Sequence, residues 1–189
     1  VASSMNVIDG YTSSIYGSNN VLTAVGHAAG VFYGYKTAGV FATDAEAANA
    51  GAYGYLRYPT GLAQQPYLNL RAGDMHFVDQ NGDGWINEAD MVVIGDPNPD
   101  IYGNIYTSLE WKNLKLDVNF KYSLGNDVYN YQRMQLESAN SNWNQTTAVV
   151  NRWRYEGQVT DIPRACDPTS ESWVNNERFS DRWIEDGSY

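Results

Sequence analysis

The densest set of metal-type ligands in the chain is the run Asp79-Gln80-Asn81-Gly82-Asp83-Gly84-Trp85-Ile86-Asn87-Glu88-Ala89-Asp90. A calcium loop of the EF-hand type needs side-chain oxygens at positions 1, 3 and 5, a backbone carbonyl at 7 and a water-linked group at 9. It also needs a carboxylate at 12 and a glycine at 6 for the sharp turn. Those places hold Asp79, Asn81, Asp83, Trp85, Asn87, Asp90 and Gly84. Ca²⁺ takes hard oxygen donors, and this set offers nothing softer. Asp79, Asp83 and Asp90 repel one another without a cation, so metal binding and local folding are expected to be coupled. Asp90 is shorter than the usual Glu, which makes bidentate contact harder and lowers the expected affinity. Ile86, at position 8, is placed to anchor the loop in a core. A paired sensor needs a second loop and long flanking amphipathic helices. The sequence has neither, so the expectation is a structural staple rather than a switch. The competing reading is an Asn/Asp/Gly-rich turn that holds no ion.

Little else in the sequence suggests reaction chemistry. His27 and His76 are far apart and have no partner at ligand spacing, so both are read as satisfied or exposed imidazoles. Cys166 is the single cysteine; it can close no intrachain disulfide and is read as an incidental thiol. There is no nucleophile elbow, phosphate-binding glycine loop or zinc signature, so no enzymatic activity is expected. A net charge of −10 without a basic run gives no source of attraction to a phosphate backbone, which excludes nucleic acid as a partner. Trp143, Trp153, Trp173 and Trp183 stand among Asn, Gln and Asp. They suit stacking on sugar rings, and they suit equally the aromatic cores of long loops.

The elements that must position these residues are mainly β. Across 189 residues there are 15 Tyr, 6 Trp and 17 Gly against 12 Lys plus Arg, a composition closer to exported β-rich protein than to a helical enzyme. The sequence has no run of about 18 apolar residues, which excludes a transmembrane helix but not a membrane barrel. Residues 1–20 read as a strand end followed by a polar loop, and 30–41 as short extended pieces that approach other backbone closely. Thr43 or Asp44 is expected to cap a helix over 45–50 that Gly51 stops. Residues 53–70 read as a loop with at most edge strands, and Pro97-Asn98-Pro99-Asp100 as a turn. A hairpin then follows over 101–122, turning at Lys112-Asn113. Ile105, Thr107, Leu109 and Trp111 share one face with Leu114, Leu116, Val118, Phe120 and Tyr122; Tyr106, Ser108, Glu110, Lys115, Asp117, Asn119 and Lys121 share the other. Two environments produce such alternation: a membrane barrel with a wet lumen, or a soluble sheet with one dry face. Residues 123–182 read as a long loop, with one helix expected over 144–154 that places Val149, Val150 and Trp153 near one face.

Several blocks carry a family resemblance. Phe32-Tyr33-Gly34-Tyr35-Lys36-Thr37-Ala38-Gly39-Val40-Phe41 is followed by Gly73-Asp74-Met75-His76-Phe77-Val78-Asp79, which runs into Asn81-Gly82-Asp83-Gly84. Ile94-Gly95-Asp96-Pro97-Asn98-Pro99-Asp100, Gly125-Asn126-Asp127-Val128-Tyr129-Asn130 and Asp181-Arg182-Trp183-Ile184-Glu185-Asp186-Gly187-Ser188-Tyr189 follow in order. Together they resemble the C-terminal half of SusC/RagA-type TonB-dependent outer-membrane transporters of Bacteroidetes. The resemblance implies part of a large antiparallel barrel of about 22 strands, with long extracellular loops, short helices and the calcium loop on the extracellular side. It implies a SusD-like surface lipoprotein as partner, TonB engaged through other parts of the chain, glycans or peptides as imported substrate, and outer-membrane lipid along Leu114, Leu116, Val118 and Phe120. Lys112-Asn113 would be the periplasmic turn. The sequence contains no plug domain, so these 189 residues are expected to be part of a longer chain. The alternative is a soluble secreted calcium-binding module, glycan-binding or dockerin-like; a dockerin would normally carry a duplicated loop.

Overall fold

Short runs of β-branched and aromatic residues broken by Gly, Asn and Pro dictate short strands, and thirteen are found among the described residues. The computed structural model describes residues 11–15, 18–53, 55–57, 67–68, 70–139, 143–166, 176 and 178–189. The start of the N-terminal stretch, most of the loop expected over 53–70, and Trp173 lie outside them. The chain divides into two units, one of Val1–Tyr33, Gly95–Tyr129 and Ile184–Tyr189, the other of Gly34–Ile94 and Asn130–Trp183.

In the first unit, β1 (Tyr11–Ile15) and β2 (Ser18–Thr23) pair antiparallel, and β2 pairs β3 (Val31–Gly34) through Val21 with Phe32 and Leu22 with Val31. Residues 11–15 and 18–20, within the stretch expected to end in a polar loop, are therefore strand. Strands β10 (Ile101–Trp111) and β11 (Leu114–Leu124) form the long hairpin, while β12 (Asp127–Tyr129) pairs antiparallel with β13 (Ile184–Asp186). Tyr189 and Ser123 exchange N–H···O bonds of 2.9 Å each way.

In the second unit, β4 (Thr37–Val40) pairs with β7 (Met75–Phe77) across a bulge beside Gly39, whose φ of 102° suits glycine. Strand β5 (Tyr55–Arg57) pairs antiparallel with β6 (Tyr67–Leu68) and parallel with β8 (Trp85–Ile86); β9 (Val92–Gly95) follows the acidic loop. The core here is Tyr35, Met75, Phe77 and Ile86, with Val40, Leu70 and Met91 packed against it. Close backbone approach, expected for the glycines of 30–41, occurs at Gly34: a Cβ there would lie 2.6 Å from the carbonyl oxygen of Phe179.

Helix α1 (Asp44–Tyr53) starts where expected, since Thr43 Oγ1 accepts the Glu46 N–H at 3.2 Å. It does not stop at Gly51. Glycine ends a helix by taking positive φ, and Gly51 keeps helical backbone instead. The helix expected over 144–154 is corrected to a single 3₁₀ stretch, Thr147–Asn151. Thr146, Thr147, Val149 and Val150 are β-branched and poor at extending a helix. The Trp153 N–H also leaves the helical pattern to bond Ile162 O at 2.9 Å. Val149 is buried and Val150 exposed, so the two do not share a face. The stretch read as a long loop, 123–182, contains β12 and helix α2 (Tyr131–Glu137), capped by Asn130, whose side chain accepts the Arg133 N–H at 2.8 Å.

Candidate functional site

The acidic loop is built from the inside outward by its own side chains. Asp79 Oδ1 accepts the Gly82 N–H at 2.7 Å and Oδ2 the Gly84 N–H at 2.8 Å. Asn81 Oδ1 accepts the Asp83 N–H at 2.9 Å, and Asp83 Oδ1 accepts the Trp85 N–H at 2.8 Å. Asn87 caps the 3₁₀ turn Glu88–Asp90 by accepting the Ala89 N–H. Asp90, fully buried, closes the loop on itself: its two oxygens accept the N–H groups of Gln80 at 2.9 Å and Asn87 at 2.8 Å. Gly82 and Gly84 take φ of 72° and 81°, values an L side chain rarely adopts. Removal from water raises the Asp79 pKa, but hydrogen bonds from the backbone N–H groups of Gly84, Gly82 and Asp83 outweigh it and hold the carboxyl below its ordinary value.

Every side chain named from the sequence, Asp79, Asn81, Asp83, Asn87 and Asp90, is thus oriented by backbone amides of the loop, and Trp85 contributes backbone at position 7. The donor set, all oxygen, fits a hard cation. The carboxylates are not drawn to a common point: among the described residues no three Asp, Glu, His or Cys side chains gather as a metal cluster. Asp83 Oδ2 instead accepts from Asn81 Nδ2 at 2.9 Å. An ion would have to break that bond and tighten the loop. Ile86 does what its position suggests and is buried with Tyr35, Met75 and Phe77. The loop ends in the 3₁₀ turn Glu88–Asp90 and is flanked by the short strands β7 and β9, not by two long helices.

The hairpin is the second feature. Its eleven pairs run without slip from Ile101 opposite Leu124 to Trp111 opposite Leu114. Ile105 faces Phe120, Thr107 faces Val118 and Leu109 faces Leu116, which gathers the apolar residues into one band as alternation predicts. Lys112 takes φ 54°, the left-handed start of a tight two-residue turn. The band is uncovered apart from half-buried Val118: its other large apolar side chains range from 37% exposed at Tyr122 to 70% at Trp111. The opposite face is polar and internally bonded, with Tyr106 Oη donating to Asp117 Oδ1 at 2.8 Å and Lys115 Nζ 3.6 Å from Asp117 and 3.9 Å from Glu110. Tyr122 covers Gly103 near one end of the band, and Trp111 stands at the turn with Lys112 Nζ 4.9 Å over its ring. No helix among the described residues is long and apolar enough to cross a membrane, which leaves crossing by strands untouched.

The chain is 32% identical over 164 residues to TonB-dependent receptor P3 of Formosa agariphila and 30% identical over 185 residues to TonB-dependent receptor P26 of the same bacterium. These matches cover 87% and 98% of the chain. The chain belongs to the TonB-dependent receptors. A third relative, TonB-dependent receptor P39, is 28% identical over 180 residues. The chain spans only 14% to 17% of the length of these receptors. No family model matches.

Other sequence candidates have structural roles. Trp183 is fully buried, and Trp153 donates its indole N–H to Ala42 O at 3.2 Å while packing where a side chain on Gly73 would sit. Trp143 alone of the described three is open to stacking. His76 stacks on Phe41 with centroids 4.5 Å apart, and His27 is exposed. Cys166 Sγ accepts from Asn176 Nδ2 at 3.3 Å. Two polar clamps were missed: the buried Asp74 carboxylate with Arg164 Nε at 2.8 Å, and Asp181 Oδ1 accepting from both Thr37 N–H and Oγ1. Their partners stand 90 and 144 residues apart, and no local spacing announces them.

Proposed function

We propose that the chain is part of a SusC/RagA-type importer in which β10 and β11 cross the outer membrane and the loop 79–90 holds one structural Ca²⁺ at the extracellular side. The observation that carries the crossing is the uncovered apolar band on a slip-free hairpin. Two strands of eleven residues extend about 36 Å. Tilted as barrel strands are, they rise about 25 Å, the height of a barrel's apolar band. Soluble monomers seldom expose an apolar patch of this extent. The polar, hydrogen-bonded opposite face suits a wet lumen, Trp111 and Tyr122 suit the interfacial girdles, and Lys112-Asn113 is the short turn of the periplasmic side. The Tyr189–Ser123 pairing supports an antiparallel neighbour on the far edge of β11.

On this reading the intact receptor imports a glycan or peptide, draws energy through TonB by parts beyond this chain, and works under a SusD-like surface lipoprotein. The calcium reading is supported by an all-oxygen donor set whose side chains are already aimed by the loop's amides, and by the Ile86 anchor. Single-cysteine spin labels from 114 to 121 in the intact receptor in lipid test the crossing. Oxygen accessibility should peak at 114, 116, 118 and 120, and water-soluble relaxant accessibility at 115, 117, 119 and 121. Absence of that alternation would refute it. Calorimetric titration with Ca²⁺ tests the loop, and co-purification with the co-encoded lipoprotein tests the partner.

A further inference from the structure

A cavity of about 400 Å³ lies between α2, the 3₁₀ stretch Thr147–Asn151 and the turn Asp181–Trp183, lined by Arg133, Glu137, Asn151, Thr160, Asp161 and Arg182 among others. That volume is within the range of small-molecule sites. Most of its polar groups are committed to the protein. Glu137 accepts from Arg133 Nε at 3.0 Å and from Thr146 Oγ1 at 3.1 Å. Thr160 Oγ1 donates to Asn151 O at 2.7 Å and accepts the Ile162 N–H at 3.2 Å.

Arg182 differs. Its guanidinium lies 4.5 Å over the Trp183 ring, and its one hydrogen bond among the described residues goes to Met75 Sδ at 3.3 Å, a weak acceptor. Among the described residues no carboxylate comes within ion-pair distance of it. Removal from water pushes its pKa down to about 10, with Glu137 and Asp161 acting against that shift and Arg133 with it, so it stays charged at neutral pH. A half-buried guanidinium held by one weak hydrogen bond, set in the wall of an open cavity, is placed to take an anionic partner.

We propose that this cavity binds a small monoanionic ligand, of about monosaccharide size, that presents a carboxylate or sulfate to Arg182 and hydroxyl groups to the remaining wall. The exposed Asp161 opposes ligands of higher negative charge and accepts from a ligand hydroxyl. The site does not depend on the acidic loop holding an ion or on which substrate the receptor imports.

The test is equilibrium binding to the intact receptor in detergent with three probes: D-glucuronate, D-glucose and inorganic sulfate. Glucuronate is expected to bind at least about 10-fold more tightly than glucose, and sulfate to compete with it. Arg182→Gln should weaken glucuronate by about 10-fold to 100-fold, the range a charge-assisted hydrogen bond commands. Arg182→Lys should fall between. Ala148 also lines the cavity, and Ala148→Phe, which fills it without touching a charge, guards against a folding defect at Arg182; it should abolish binding with melting unchanged. Equal affinity for glucose and glucuronate, or wild-type glucuronate affinity in both Arg182→Gln and Ala148→Phe, overturns the proposal. Sulfate binding as tightly as glucuronate overturns the sugar-sized part of it.

Discussion

Replacing Asp90 with alanine removes a buried carboxylate and, on the calcium reading, the ligand that closes the ion's shell. The side chain accepts two backbone N–H groups, from Gln80 at 2.9 Å and Asn87 at 2.8 Å, and has no exposure of its own. A buried donor left without a partner costs about 1–3 kcal/mol. Water entering the shortened site recovers part of this, so the loop is expected to lose about 2–4 kcal/mol of local stability. Each 1.4 kcal/mol is about tenfold, so the amides of Gly82 and Gly84 should exchange with deuterium about 30-fold to several hundred-fold faster. Mass-resolved hydrogen exchange on the intact receptor, read on a peptide covering 79–90, measures this with chelator and with calcium. Calcium at a hundredfold excess over its dissociation constant should slow the wild-type loop by about 100-fold, since binding adds about 2.7 kcal/mol. The variant should lose that protection. If Asp90→Ala exchanges like wild type in chelator, the hydrogen-bond reasoning fails. If calcium still protects the variant by the wild-type factor, Asp90 is no ligand.

Phe120→Arg should impair outer-membrane assembly, because a cation at mid-bilayer on the lipid face costs about 2–4 kcal/mol, whereas Asn119→Arg on the opposite face should assemble normally; heat-modifiable mobility on gels reads both, and equal behaviour counts against the face assignment. Ile86→Ala should destabilise the second unit by about 2–4 kcal/mol, as deletions of buried aliphatic side chains do. It should also weaken calcium binding in calorimetry, and unchanged affinity would show that the anchor and the ion are uncoupled. Burial holds the His76 pKa below 6.5, with Glu46 pulling weakly the other way. The unfolded chain therefore takes up the proton at higher pH than the folded one, and stability present above about pH 6.5 declines as pH falls through the folded value. His76→Phe keeps the stack on Phe41 and should flatten the pH dependence of local exchange between about pH 5 and 7; an unchanged slope would remove His76 from the account.

Local periodicity was enough to read the hairpin. A two-residue period repeated over 101–122 leaves one register in which apolar side chains align, and that register is found, continuing to Leu124. The acidic loop was equally legible as a loop, because Asx side chains bond amides two to five residues away and glycines take the left-handed positions, all within twelve consecutive residues. Where local preferences were weak, sequence reading failed. The β-branched run 146–150 made only a 3₁₀ stretch, Gly51 stayed helical, and α2 went unseen in a polar segment whose stabilising pair, Arg133 with Glu137 at 3.0 Å, gives only a modest local signal.

Residue order alone determined where the oxygen donors stand, which hairpin face is apolar and what kind of receptor the chain comes from, since each rests on spacings of a few residues or on motifs kept in sequence. Tertiary structure alone decided that Asp74 would be buried against Arg164, that Asp181 would clamp Thr37, and that Arg182 would be half-buried in a cavity wall over Trp183. These depend on which distant segments meet and how much water they exclude, and neither burial nor an unmet hydrogen-bond donor exists until the chain has packed.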